Sequence, residues 1–121
     1  MKTFYDDDSV LDFINSIKVP GVRTTILKMI DSVNEDLEIV MKHHTLDTGL
    51  VDYYVIFKST HEDNGGLMMF VAESPDEMLG FLRSILRQMP PYYRADFALR
   101  VESIYLGLLN LENYEDYGEE E

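Results

Sequence analysis

Apolar residues change their spacing along the chain, and each change marks an element. Val10, Leu11, Phe13, Ile14 and Ile17 recur at helical spacing behind Asp6, Asp7, Asp8 and Ser9. Carboxylates there meet the positive end of a helix dipole, which predicts a helix over about residues 8–18 with Asp7, Asp8 or Ser9 as N-cap. Pro20-Gly21 reads as its stop, and a second helix carries Val22, Ile26, Met29, Ile30 and Val33 toward a core, with Arg23, Thr24, Lys28, Asp31 and Ser32 opposite. The next stretch fits two periods. Leu37, Val40, Met41 and His44 would continue the helix, whereas Leu37, Ile39 and Met41 also alternate with Glu38, Val40 and Lys42 as a half-buried strand does. The strand is favoured: Asn34-Glu35-Asp36 is poor helix interior, Asp47-Thr48-Gly49 can turn the chain onto the next strand, and a two-stranded hairpin alone is marginal.

Leu50 to Phe57 and Leu67 to Ala72 are rich in β-branched and aromatic residues and flank His61-Glu62-Asp63-Asn64-Gly65-Gly66, a hairpin pattern. Ser74-Pro75-Asp76-Glu77 is a capping box with proline at the first helical position. It opens a helix that turns Met78, Leu79, Leu82, Ile85, Leu86 and Met89 inward, and Pro90-Pro91 closes it. A last helix runs through Phe97, Val101, Ile104, Leu108 and Leu111; Leu99, Leu106 and Leu109 fall outside that stripe, so it is either deeply buried or meets a second chain. The expected fold class is α+β, in the order α-α-β-β-β-α-α, with a three-stranded antiparallel meander covered by helices. Residues 1–111 form one globular domain in this reading, and 112–121 a mobile acidic tail.

Charge changes the picture most. Twenty-three acidic and ten basic residues give the 121-residue chain a formal net charge of -13. Such a surface repels phosphate backbones and anionic lipid, which argues against direct nucleic-acid or membrane binding and favours encounter with a basic partner. The chain has no cysteine. The first residues lack a signal-peptide layout, and no apolar run approaches the roughly 20 residues that span a bilayer, so a cytoplasmic location is expected.

The pattern offers little for catalysis or cofactors. His43 and His44, adjacent on a strand, point to opposite sides and cannot share a metal, and the plain reading is that they are exposed polar residues at a strand end. No Gly-x-Ser-x-Gly elbow is present, and Gly65-Gly66 leads into a strand rather than a helix, so it is no phosphate cradle. No catalytic residue, cofactor or metal ligand is assigned, and an enzyme is not expected. Arg83 and Arg87, one turn apart, read as a solvent-facing basic stripe.

Binding is better provided for. Tyr92, Tyr93, Tyr105, Tyr114 and Tyr117 lie in an acidic C-terminal third, where the ring attracts cations and carboxylates supply charge-assisted hydrogen bonds to Lys and Arg. The expected function is that of an acidic inhibitor, of the kind phages or mobile elements encode. It would block a basic nucleic-acid-binding protein, such as a nuclease or restriction system, by occupying the surface that phosphates use. In composition the chain resembles small acidic phage proteins that mimic DNA, although -13 is modest against one phosphate charge per about 1.7 Å of duplex axis. The partner-binding residues in this reading are Asp6, Asp7, Asp8, Glu112, Tyr114, Glu115, Asp116 and Tyr117. An immunity protein neutralising a cognate toxin uses the same device. A dimeric chaperone for an exported or assembling protein is the third reading, with a homodimer formed through the last helix.

Overall fold

Local sequence sets where each element begins. The computed structural model describes residues 1–32, 36–44, 51–59 and 66–112. Among them the chain forms β1 (Lys2–Phe4), α1 (Asp7–Ser16), α2 (Pro20–Ser32), β2 (Leu37–His44), β3 (Val51–Lys58), β4 (Leu67–Ala72), α3 (Pro75–Gln88) and α4 (Pro91–Glu112). The fold is α+β, with an antiparallel sheet in the order β1-β4-β3-β2. The meander β2-β3-β4 is the expected one. The correction is β1: three residues are too short to show a period, and Lys2–Phe4 becomes a strand only by pairing with β4.

Helix boundaries bring further corrections. The N-cap of α1 is Asp6, extended at φ -138° and ψ 162°, whose side chain accepts the Ser9 N–H; Asp7, Asp8 and Ser9 lie inside the helix. The helix ends at Ser16, and Pro20 and Gly21 open α2 instead of terminating α1. Pro91 likewise opens α4, because proline lacks the N–H that a first helical turn leaves unpaired anyway. Met29, expected inward, is exposed. The capping box of α3 forms: Ser74 Oγ accepts the Glu77 N–H at 3.1 Å, and Glu77 Oε1 accepts the N–H of Glu73.

The chain divides into two compact units. One holds Lys2–Ile39 and Val55–Phe70. Its core is Val10 and Ile14 of α1, Ile26 and Ile30 of α2, and Val55, Ile56, Met69 and Phe70 from the strands. Aromatic contacts fix β1 here, with Phe4 against Phe13 at 4.9 Å and Tyr5 edge-on to Phe70 at 5.8 Å. At the base of the hairpin, the Ser59 N–H donates to the Gly66 carbonyl at 2.8 Å, and a Cβ on Gly66 would lie 1.9 Å from the Ser59 carbonyl oxygen. Only glycine permits that approach.

The other unit holds Met1, Val40–Tyr54 and Val71–Glu121. Met78 and Leu82 of α3 and Val101, Ile104 and Leu108 of α4 form its core with Tyr53, Tyr54 and Val71. Two expectations change in this unit. His43 is buried, not an exposed strand-end residue: its Nδ1 lies 3.1 Å from Tyr54 Oη, and its Nε2 has no partner among the described residues. The last helix is not deeply buried either, since Leu99 is 70% and Leu106 57% exposed. Val33, the turns expected at 47–49 and 61–65, and the acidic tail beyond Glu112 lie outside the described residues.

Candidate functional site

The acids singled out at the N-terminus belong mostly to the fold. Asp6 Oδ1 accepts the Ser9 N–H at 2.8 Å as the cap of α1. Asp7 reaches across to β4, where its Oδ1 accepts the Leu67 N–H at 2.9 Å. Asp8 alone of the three is an exposed first-turn residue with its charge toward solvent. Asp7 also lines a cavity of about 240 Å³ with Asp31 and Lys58, and the Lys58 ammonium donates to the Ile30 carbonyl near the end of α2. Two carboxylates against one ammonium leave this small cavity with a single excess negative charge.

The C-terminal acids behave differently. Glu112 ends α4, and the structure brings it into one electrostatic cluster with Asp76 of α3, Tyr105 of α4 and Tyr53 of β3. The Tyr105 hydroxyl donates to Asp76 Oδ1 at 2.8 Å. That hydrogen bond holds the Tyr105 pKa above its ordinary value, with desolvation and the charges of Asp76 and Glu112 adding to it and Arg83 opposing. Burial, then the charge of Glu112, raises Tyr53 in the same way. The carboxylates of Asp76 and Glu112 thus stand among three cations, Arg83, the Met1 ammonium, 3.9 Å from Glu77, and Lys42, which donates to the Leu111 carbonyl. Asp6, Asp7 and Asp8 lie in the other unit. Tyr114, Glu115, Asp116 and Tyr117 lie outside the described residues, immediately beyond Glu112 in the chain.

Asp76 and Tyr53 are the members that sequence reasoning missed, Tyr53 because it reads as one more aromatic of a strand. Asp76 is the more telling of the two. It stands in the capping box and reads there as a first-turn acid of α3; its pairing with Tyr105, 29 residues on, needs the reversal between α3 and α4. That reversal also opens a groove of about 490 Å³ between the two helices, walled by Leu79 and Leu86 of α3 and by Ala98, Val101 and Leu106 of α4, with Arg83, Glu102 and Tyr105 along it. Among the described residues no group of three or more His, Asp or Glu could hold a metal ion, and no helix is long and apolar enough to cross a membrane. Comparison with family models, curated proteins and solved structures finds no match to the chain.

Proposed function

We propose that this protein is an acidic, non-catalytic inhibitor that binds a basic nucleic-acid-binding protein in the cytoplasm and covers the surface its phosphates would use. The observation that supports this most is the cluster of Asp76, Tyr105 and Glu112, in which the Tyr105 hydroxyl donates to Asp76 at 2.8 Å and both carboxylate charges add to the rise in its pKa. Carboxylates beside phenol rings suit Lys and Arg side chains, since they offer charge-assisted hydrogen bonds and a cation-attracting face together. From Glu112 the sequence continues with Tyr114, Glu115, Asp116 and Tyr117 and ends in Glu119, Glu120 and Glu121, so the same chemistry extends along the tail. Asp8 contributes a separate exposed charge, while Asp6 and Asp7 serve the fold. An immunity protein facing a basic toxin would use the same contacts.

The test is retention of bacterial lysate proteins on the tagged full chain at low and high salt. A basic nuclease or DNA-binding protein should be retained, released by salt, and displaced by nucleic acid. Reversing the charges of Glu112, Glu115 and Asp116 together should weaken that complex by about tenfold or more while the circular dichroism spectrum stays unchanged and the melting temperature does not fall. Unchanged affinity in this variant rules out the C-terminal site. A second reading, an acidic dimeric chaperone, draws on the apolar α3–α4 groove; it predicts retention of an apolar client that salt does not release.

A further inference from the structure

The last helix carries more apolar surface than its own core uses. Tyr92, Leu99 and Leu106 are 87%, 70% and 57% exposed and recur every seven residues, which places them along one line of α4. Beside that ridge runs the groove walled by Leu79, Leu86, Ala98 and Leu106. A ridge next to a groove on one surface is self-complementary under a two-fold axis, because the ridge of each copy can enter the groove of the other.

Charge selects the occupant. The Tyr105–Asp76 hydrogen bond joins the late part of α4 to the start of α3, so the two helices run antiparallel and their charges sort into two ends. Arg87 and Arg94 stand at the end near the α3–α4 connection, while Arg83, Glu102 and the Asp96–Arg100 pair at 3.9 Å lie along the middle of the hairpin, where charges of both signs are present. Glu73, Asp76, Glu77 and Glu112 occupy the opposite end. A uniformly acidic or basic partner helix would match one end and be repelled by the other. A second copy laid antiparallel matches both, since its acidic end falls on the basic end of the first and the reverse, whereas a parallel arrangement would set like charges together.

We propose that α4 is the seam of a two-fold homodimer in which the α4 of a second copy lies antiparallel along the α3–α4 groove. Leu99 of each copy packs against Leu106 of the other, and this register brings Arg94 of each beside Glu112 of the other. The proposal rests on the helical hairpin and shares Glu112 with the inhibitor reading, so the leucine variant below, which leaves Glu112 untouched, is the one that tests the dimer separately.

Sedimentation velocity and light scattering on the full chain across the micromolar range test it. The expected mass is twice the chain mass of 14.1 kDa. Leu99→Glu combined with Leu106→Glu should return the single-chain mass with an unchanged circular dichroism spectrum, because both side chains are exposed. Arg94→Glu and Glu112→Arg should each weaken the dimer by about tenfold, and the two combined in one chain should restore it, because every cross-pair is then re-formed with reversed sign. A wild-type chain of single mass overturns the proposal. So does a dimer indifferent to the leucine variant, a charge double variant no tighter than its parents, or a single chain that holds a different protein in the groove.

Discussion

Asp7 and Asp8 are neighbours with the same chemistry and opposite duties. The Asp7 carboxylate accepts the backbone N–H of Leu67 at the start of β4, a donor that would otherwise face a partly buried site without an acceptor. Removing an acceptor from such a donor costs about 1–3 kcal/mol, whereas truncating Asp8 loses a first-turn charge worth roughly 0.3–1 kcal/mol against the helix dipole and gains a better helix former in alanine. Asp7→Ala should therefore lower the urea midpoint clearly, and Asp8→Ala should leave it almost unmoved. The reverse pattern is expected in partner binding if the N-terminal acids take part: the Asp8 variant would lose affinity without losing stability. Equal urea midpoints for the two variants would show that the Asp7–Leu67 bond adds nothing to the fold.

At the scale of elements, α3 and α4 are tied by a hydrogen bond that depends on pH. Tyr105 keeps its proton above the ordinary value of 10.0 because the hydroxyl donates to Asp76 and because phenolate beside Asp76 and Glu112 is unfavourable. A raised folded-state pKa favours the protonated form, so the stability it contributes is fully present below about pH 10 and is lost as pH rises through the folded value. Tyrosinate absorbance should show Tyr105, identified by the component lost in Tyr105→Phe, titrating above the ordinary value of 10.0. Asp76→Asn should bring that midpoint down toward the ordinary one; an unmoved midpoint would refute the pairing. This link was not legible in the sequence, and the reason is physical. The capping box of Ser74 to Glu77 and the alternation of β2 are local, so α3 and β2 could be read from neighbouring residues. Lys2–Phe4 and the Asp76–Tyr105 pair exist only through partners far along the chain, and His43 is buried by its contact with Tyr54 across the sheet rather than by anything in its own strand. The apolar residues of α4 showed excess surface, but only the packed hairpin distinguishes the buried Ile104 from the exposed Leu99.

At the scale of the whole molecule, fold and function should respond to salt with opposite signs. A net charge of -13 on 121 residues opposes compaction through self-repulsion, and a loose, solvent-facing ion pair such as Asp96–Arg100 at 3.9 Å contributes little against it. Raising ionic strength from about 0.01 M to about 0.15 M shortens the screening length from roughly 30 Å to roughly 8 Å. Repulsion between carboxylates spread over the surface is cut most, so the melting temperature should rise by roughly 2–5 °C. The same change weakens any complex held by carboxylate contacts to Lys and Arg. Calorimetry on the Leu99→Glu, Leu106→Glu variant removes dimer dissociation from the first measurement, and titration with a captured basic partner supplies the second. A melting temperature that falls with salt would mean that attractive pairs dominate the surface, and the acidic excess would then belong to the architecture rather than to a partner. A rise in stability alongside a loss of affinity would assign the same charges a cost in the fold and a use in binding, the relation expected of an acidic surface kept for a basic partner.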